Sequence, residues 1–163
     1  MREILVDEYG YKQFFEELEK LKQLSLSNAS AGSEAYNDAV GDGWHDNFAF
    51  EESMRESRTI ASKIDKMLKE QQSLRIVDSK SLGDEFINIG DSFEAEIKYA
   101  EDDIEIEKLT LTGKYKPDTE LKIKEISLNS PIGKAVFQKR INSSVSYIVN
   151  DREINVNILN KLQ

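Results

Sequence analysis

The chain has 163 residues, of which 39 % are hydrophobic and 33 % charged. That is room for one ordinary domain or two small ones, with a modest core under much solvated surface. No cysteine and one histidine, His45, exclude a disulfide scaffold, a thiol nucleophile, Cys-based zinc and multi-histidine metal centres, while 31 acidic against 22 basic residues (net charge -9) disfavour free nucleic acid and anionic membranes.

From Asp7 to about Leu74 the apolar spacing is helical. Tyr11, Phe14, Phe15, Leu18 and Leu21 recur at three and four residues, with Glu16, Glu17, Glu19, Lys20 and Lys22 on the other side. Asp7 is placed to cap this run. The stripe thins through LSLSNASAGSEAYNDAV, where Glu34, Ala35, Tyr36 and Ala39 resume it. GDGWHDN then breaks the helix, with Gly41 suited to end one and Asp46 or Asn47 to cap the next. Beyond it Phe50, Met54, Ser57, Ala61, Ile64, Leu68 and Gln71 alternate steps of four and three, the spacing of a heptad seam. Two long helical runs joined by a short loop predict an antiparallel hairpin. About 35 helical residues at 1.5 Å each make an arm roughly 50 Å long. The rest of the chain, with a compact radius on the order of 12 Å, is too small to bury it. GDGWHDN is therefore expected to project as a probe or a handle.

From Ile76 onward the period is two. Phe93, Ala95, Ile97 and Tyr99 alternate with Glu94, Glu96 and Lys98. Ile104 and Ile106 follow, then Leu109 and Leu111, then Leu121, Ile123 and Ile126. The last two runs are Val145-Tyr147-Val149 and Ile154-Val156-Ile158, separated by Asn150-Asp151. SPIGKAVF, from Ser130 to Phe137, reads as a loop with a short helix. The predicted class is α+β, with a helical arm over residues 1–75 and a small antiparallel sheet domain over 76–163. No apolar run approaches the ~20 residues of a membrane helix, and MREILVDEYG lacks a signal peptide's apolar core, so a cytoplasmic protein is expected.

The charge pattern is sharper than the net charge. Between Gln23 and Met54 there is no Lys or Arg, while Glu34, Asp38, Asp42, Asp46, Glu51 and Glu52 all lie there. Asp42 and Asp46, one turn apart, have two readings. They share a divalent cation such as magnesium, which takes one or two carboxylates and completes its shell elsewhere. Alternatively, Asp42 sits in a turn and Asp46 caps a helix. Trp44 either folds back on Phe48 or anchors a partner. His45 has a bland role as a polar loop residue and a sharper one as a proton relay near neutral pH. There is no Gly-rich phosphate loop and no nucleophile elbow.

Three stretches resemble the Gre family of bacterial transcription elongation factors: VDEYGYKQFFEELEKLK, GDGWHDNFAFEE and ISLNSPIGKAVFQKR. They occur in the family's order, and the likeness spans essentially the whole chain. The resemblance implies a coiled-coil arm followed by an FKBP-like β domain. It implies a non-enzyme that docks on RNA polymerase, passes its arm down the secondary channel and reaches the nascent RNA 3′ end. Acidic tip residues there help hold the polymerase's second catalytic Mg²⁺, and the polymerase hydrolyses backtracked RNA. By position, Asp42 matches the first tip carboxylate and Asp46 the second, while Ser130 and Pro131 match the loop that seats the C-terminal domain. Trp44 is a further candidate partner contact, and a monomer is expected.

This tip departs from the family's pattern. Its carboxylates are four residues apart where the usual spacing is three, and the second is Asp rather than the commoner Glu. A displacement of an ångström can cost ~100-fold in rate. The nearest cation, Arg55, lies beyond the tip turns. A non-cleaving or inhibitory channel binder is thus the alternative within the family. A helical-hairpin interaction or chaperone protein is the alternative outside it. A stand-alone prolyl isomerase would rest on fold alone, which is poor evidence for activity.

Overall fold

The computed structural model describes residues 3–38, 48–78 and 81–162. They form two compact units, one built from the chain up to Gln13 and from Leu74 onward, the other from Phe14–Ser73. The division leaves the start of the first helix in the sheet unit. The architecture is α+β, with helices N-terminal and a mostly antiparallel sheet C-terminal.

The helical unit holds most of α1 (Glu8–Asp38) and all of α2 (Phe48–Gln71). Phe14, Leu18, Ile60 and Met67 are buried in them. Asn28 of α1 bonds the Ser53 carbonyl (2.9 Å) and the Ser57 hydroxyl (2.8 Å) of α2. A Cβ built on Gly32 would lie 2.7 Å from Ser53 Oγ. As the α1 number falls from 32 to 28 its partner in α2 rises from 53 to 57, so the helices run antiparallel, as their spacing predicted.

Every second position of the α2 seam is shifted by one residue from the predicted heptad, while Ser57 and Ile64 stand where it put them. Met54 and Leu68 are exposed, and Ala61 with them, whereas Ile60 and Met67 are buried. The stripe Ser53, Ser57, Ile60, Ile64, Met67 has the same four-three rhythm. It wins because it buries Ile60 and Met67 in place of Ala61 and Leu68, and adds Ser53 to Ser57 as a partner of Asn28.

The sheet unit starts with β1 (Ile4–Val6), paired in parallel with β2 (Leu74–Ile76). Its main sheet has β3 (Ser92–Ala100), β4 (Asp103–Thr112), β5 (Lys124–Ser127), β6 (Ser143–Val149) and β7 (Arg152–Lys161), ordered β5-β4-β3-β7-β6. All neighbours are antiparallel except β4 and β5, a departure from the purely antiparallel expectation. The reason is the connection: the chain from Thr112 travels back along the sheet before β5 begins, so β5 enters in the same direction as β4.

One face of this sheet carries Phe93, Ala95, Ile97, Leu109, Val156 and Ile158, each almost fully buried under Ile87, Leu128 and α3 (Pro131–Val136). The β6–β7 turn places Asn150 (φ 50°) and Asp151 (φ 61°) in the left-handed region, as a two-residue type I′ hairpin requires. Alternation fails in the first half of β4. Ile104 and Ile106 are exposed, because their even positions face away from the core that Leu109 and Leu111 enter from odd ones.

Candidate partner-binding site

Asp42, Trp44, His45 and Asp46 lie outside the described residues, as does the Gly41 helix end. The described chain flanks them, ending with Asp38 and resuming at Phe48. Among the described residues no group of three or more His, Asp or Glu is arranged to hold a metal ion.

Past the tip, the first turns of α2 carry a groove lined by Phe50, Glu51, Met54, Arg55 and Arg58. Phe48 is 73 % exposed, and Arg55 pairs loosely with Glu52 at 3.6 Å on the surface. Arg58 lies three residues beyond Arg55, so the first cations after the acidic stretch share one side of the helix with Phe50 and Met54. Deeper along the pair, Asn28 and its two serines form a buried polar layer. Ser53 Oγ also donates to the Asn28 carbonyl at 3.2 Å. One polar layer of this kind specifies the register of two helices at some cost in stability.

The other predicted contact loop is built from the sheet outward. Ser130 is the N-cap of α3, with extended backbone (φ -68°, ψ 155°) and Pro131 in the first turn. Its hydroxyl accepts from the Gly133 N–H at 3.0 Å and donates to the Ser127 carbonyl at 2.7 Å. Gly133 is required here, because a Cβ would sit 2.0 Å from the Ser127 oxygen. Pro131 satisfies the helix at a position whose N–H would go unused, and its ring is exposed. The structure thus places Ser130 and Pro131 side by side but gives them different work.

Asn129 escaped the sequence reading. Its side-chain oxygen accepts from the Leu5 N–H and its amide donates to the Leu5 carbonyl, both at 2.7 Å. The side chain therefore acts as one more residue of strand against β1. The root of α1 is held by the same unit. Asp7 caps the helix by accepting from the Gly10 N–H at 2.6 Å, while its own N–H donates to the Gly113 carbonyl at 3.0 Å. The only sequence signal for Asn129 was an amide side chain directly before a Ser-Pro helix start.

Two tyrosines share the core-facing side of the sheet with charged neighbours. Burial, then the carboxylates of Glu107 and Glu105, push the Tyr99 hydroxyl above its ordinary value. Burial, then Tyr99 and Glu107, do the same to Tyr147. Lys124 hydrogen-bonds Glu107 at 2.6 Å, which raises its own pKa.

Residues 92–160 match the family model described as Transcription elongation factor, GreA/GreB, C-term. The sheet domain is Gre-like. The match takes in β3 to β7, α3 and the Asn129-Ser130-Pro131 loop, a little under half of the chain. No curated protein matches it. Among solved structures the chain is similar to GreA factor homolog 1 (Gfh1) of Thermus thermophilus, at 18 % identity over 99 % of this chain and 100 % of that one, TM-score 0.44. It is also similar to Thermus aquaticus Gfh1 (17 %, all of both chains, 0.44). The GreA/GreB factor from Nitrosomonas europaea follows (13 %, all of both chains, 0.37). No helix among the described residues is long and apolar enough to cross a membrane.

Proposed function

We propose that the chain is an accessory factor of RNA polymerase, acting in the cytoplasm, that enters the secondary channel and stimulates hydrolysis of backtracked nascent RNA. The observation that carries this reading is the Gre-family match across 92–160, joined in one chain to an antiparallel helix pair. In this reading Pro131 meets the polymerase at the mouth of the channel, and the helix pair delivers Asp42 and Asp46 to the active site. The stretch without Lys or Arg from residue 24 to residue 54 suits an approach to bound cations. A magnesium ion shared with the polymerase would supply charge stabilisation at the scissile phosphate. The chain's own share is carboxylate oxygens at the tip, which orient a water and accept its proton, and Trp44 as a contact with the channel wall. The chain is not an enzyme by itself.

A second reading is favoured by one specific feature, the four-residue spacing of Asp42 and Asp46. There the same arm occupies the channel without productive alignment and blocks cleavage by other means. One experiment separates the two. A stalled, backtracked elongation complex with 3′-labelled RNA is mixed with Mg²⁺ and wild-type, Asp42→Ala or Asp46→Ala protein. Release of short fragments by wild type alone is the expected result. Suppression of intrinsic cleavage by all three proteins would instead establish the blocking reading. No effect from any of them would refute polymerase binding.

A further inference from the structure

The main sheet ends on one side in β6, and this edge differs from the sheet's other open backbone. At the opposite edge the short β5 carries Lys124 and Glu125, and the unpaired half of β4 carries Asp103, Glu105 and Glu107. Such charges keep a strand edge from pairing with another chain. β6 is SSVSYIV, with no charge, no proline and a register on β7 that runs without a shift. The uncharged run extends from Ile141 to Asn150, in a chain of which 33 % is charged. Ile148 stands on this strand at 70 % exposure.

Half of the strand's polar backbone is open. The two-residue turn at Asn150-Asp151 makes Val149 and Arg152 a hydrogen-bonded pair, and such pairs alternate from there. Val145 and Tyr147 therefore point their N–H and C=O groups at β7, while Ser144, Ser146 and Ile148 point theirs outward. Among the described residues no strand lies on that outer side, and none of these groups has a backbone partner.

We infer that β6 pairs with β6 of a second copy of this chain, antiparallel about a two-fold axis through Ser146. The sequence of the strand fits its own reverse. In this register Ser146 faces the partner's Ser146, Ser144 faces the partner's Ile148, and Val145 faces the partner's Tyr147. Small side chains meet large ones, and a β-branched residue meets an aromatic one, a favourable cross-strand pair. The three outward residues exchange about six N–H···O bonds with the partner's three. Charge selects the same occupant. Each copy carries a net charge of -9, so a second copy is repelled along charged edges and admitted along a neutral one. A cation-rich partner would find its complement on β4 instead. The strand spans only about 24 Å, so the interface is small and the dimer weak and concentration-dependent. This pairing goes beyond the polymerase reading and does not depend on it.

Sedimentation equilibrium up to ~1 mM protein compares wild type with Ser146→Pro and Ser146→Lys. Proline removes an N–H that β7 does not use, which an edge strand tolerates, and deletes both bonds at the axis. Lysine keeps the N–H but sets two cations opposite each other. Thermal unfolding checks that each variant is folded. Wild type is expected to dimerise, and each folded variant to do so about tenfold more weakly or worse. The chain has no cysteine, so single thiols report the register. The two copies of position 146 lie about 5.5 Å apart at Cα, within disulfide range. The two copies of position 144 lie about 14 Å apart. Mild oxidation should therefore link Ser146→Cys and spare Ser144→Cys. A wild type that is monomeric throughout would overturn the inference, as would a dimer that both folded variants leave unchanged. Ser144→Cys linking as fast as Ser146→Cys would overturn it too.

Discussion

Replacing Asn129 tests how β1 is held to the sheet unit. Its two bonds to Leu5, both 2.7 Å, are the side-chain equivalent of a strand pair, and Leu5 is half-buried. Asn129→Ala strands one N–H and one C=O. At about 0.5–1.5 kcal/mol net per bond, the expected loss is about 1–3 kcal/mol. Asn129→Asp is more telling. Its carboxylate still accepts from the Leu5 N–H but has nothing to donate to the Leu5 carbonyl, and sets two oxygens against each other. Protonation would restore the donor, so the new carboxyl has a raised pKa in the folded protein. Its penalty is therefore full at neutral pH and shrinks as pH falls below the raised folded value towards the unfolded value near ~4. Urea unfolding of wild type and both variants between pH 3.5 and 7 gives the difference at each pH and cancels the other carboxylates. Hydrogen exchange gives the local view: the Leu5 amide should lose protection, while the Val77 amide, bonded to the Val6 carbonyl at 2.8 Å, changes less. Equal stability of all three proteins, with Leu5 still protected, would refute the clamp.

Gly10→Ala should destabilise by about 2 kcal/mol or more in thermal unfolding. The ~1 kcal/mol gain in helix propensity is outweighed by a Cβ placed 2.1 Å from the Gly113 carbonyl oxygen, which is backbone and yields little. Asn28→Ala should cost about 1–2 kcal/mol by helical circular dichroism in urea, since it unpairs a buried seam, and a neutral result would show that the serines find other partners. Tyr99 and Tyr147 should titrate above the usual 10.0 in ultraviolet absorbance, with Tyr99→Phe and Tyr147→Phe each removing a late component. The unfolded chain releases these protons first, so their stabilisation is intact below pH ~10 and is lost as pH rises through the higher folded values.

The helix pair and the sheet strands were legible because each long run had one dominant period. Phe93, Ala95 and Ile97 alternate cleanly and all three are buried. Where two solutions shared a period, the sequence could not choose between them, as in α2, whose seam passes through Ile60 and Met67. In β4, the switch from even to odd apolar positions between Ile106 and Leu109 recorded a change of exposure, and alternation alone could not say which half was inside. The strands β1 and β2 were not foreseen. Each has three residues, and their parallel register of Ile4 with Leu74 is set by tertiary packing between distant segments. Of the candidate site, SPIGKAVF was visible as a loop with a short helix, which the structure places at Pro131–Val136. Its clamp through Asn129 was not, since a bond spanning 124 positions leaves no local trace.

The Ser130-Pro131 loop offers a last test, because its two candidate contacts cannot both be free for a partner. The Ser130 hydroxyl spends its proton on the Ser127 carbonyl and a lone pair on the Gly133 N–H. Pro131 has an exposed ring and no such duty. Ser130→Ala should therefore lower stability by about 0.5–2 kcal/mol, the usual cost of a lost cap. It should weaken polymerase binding only in step with that loss, and Ser130→Thr, which keeps the hydroxyl, should restore both. Pro131→Ala should cost under ~1 kcal/mol, mostly through the freer unfolded chain, and weaken binding well beyond that. The reverse pattern, with Pro131→Ala binding normally and Ser130→Thr failing to rescue, would place the contact on the hydroxyl side and require α3 to lose its cap on docking.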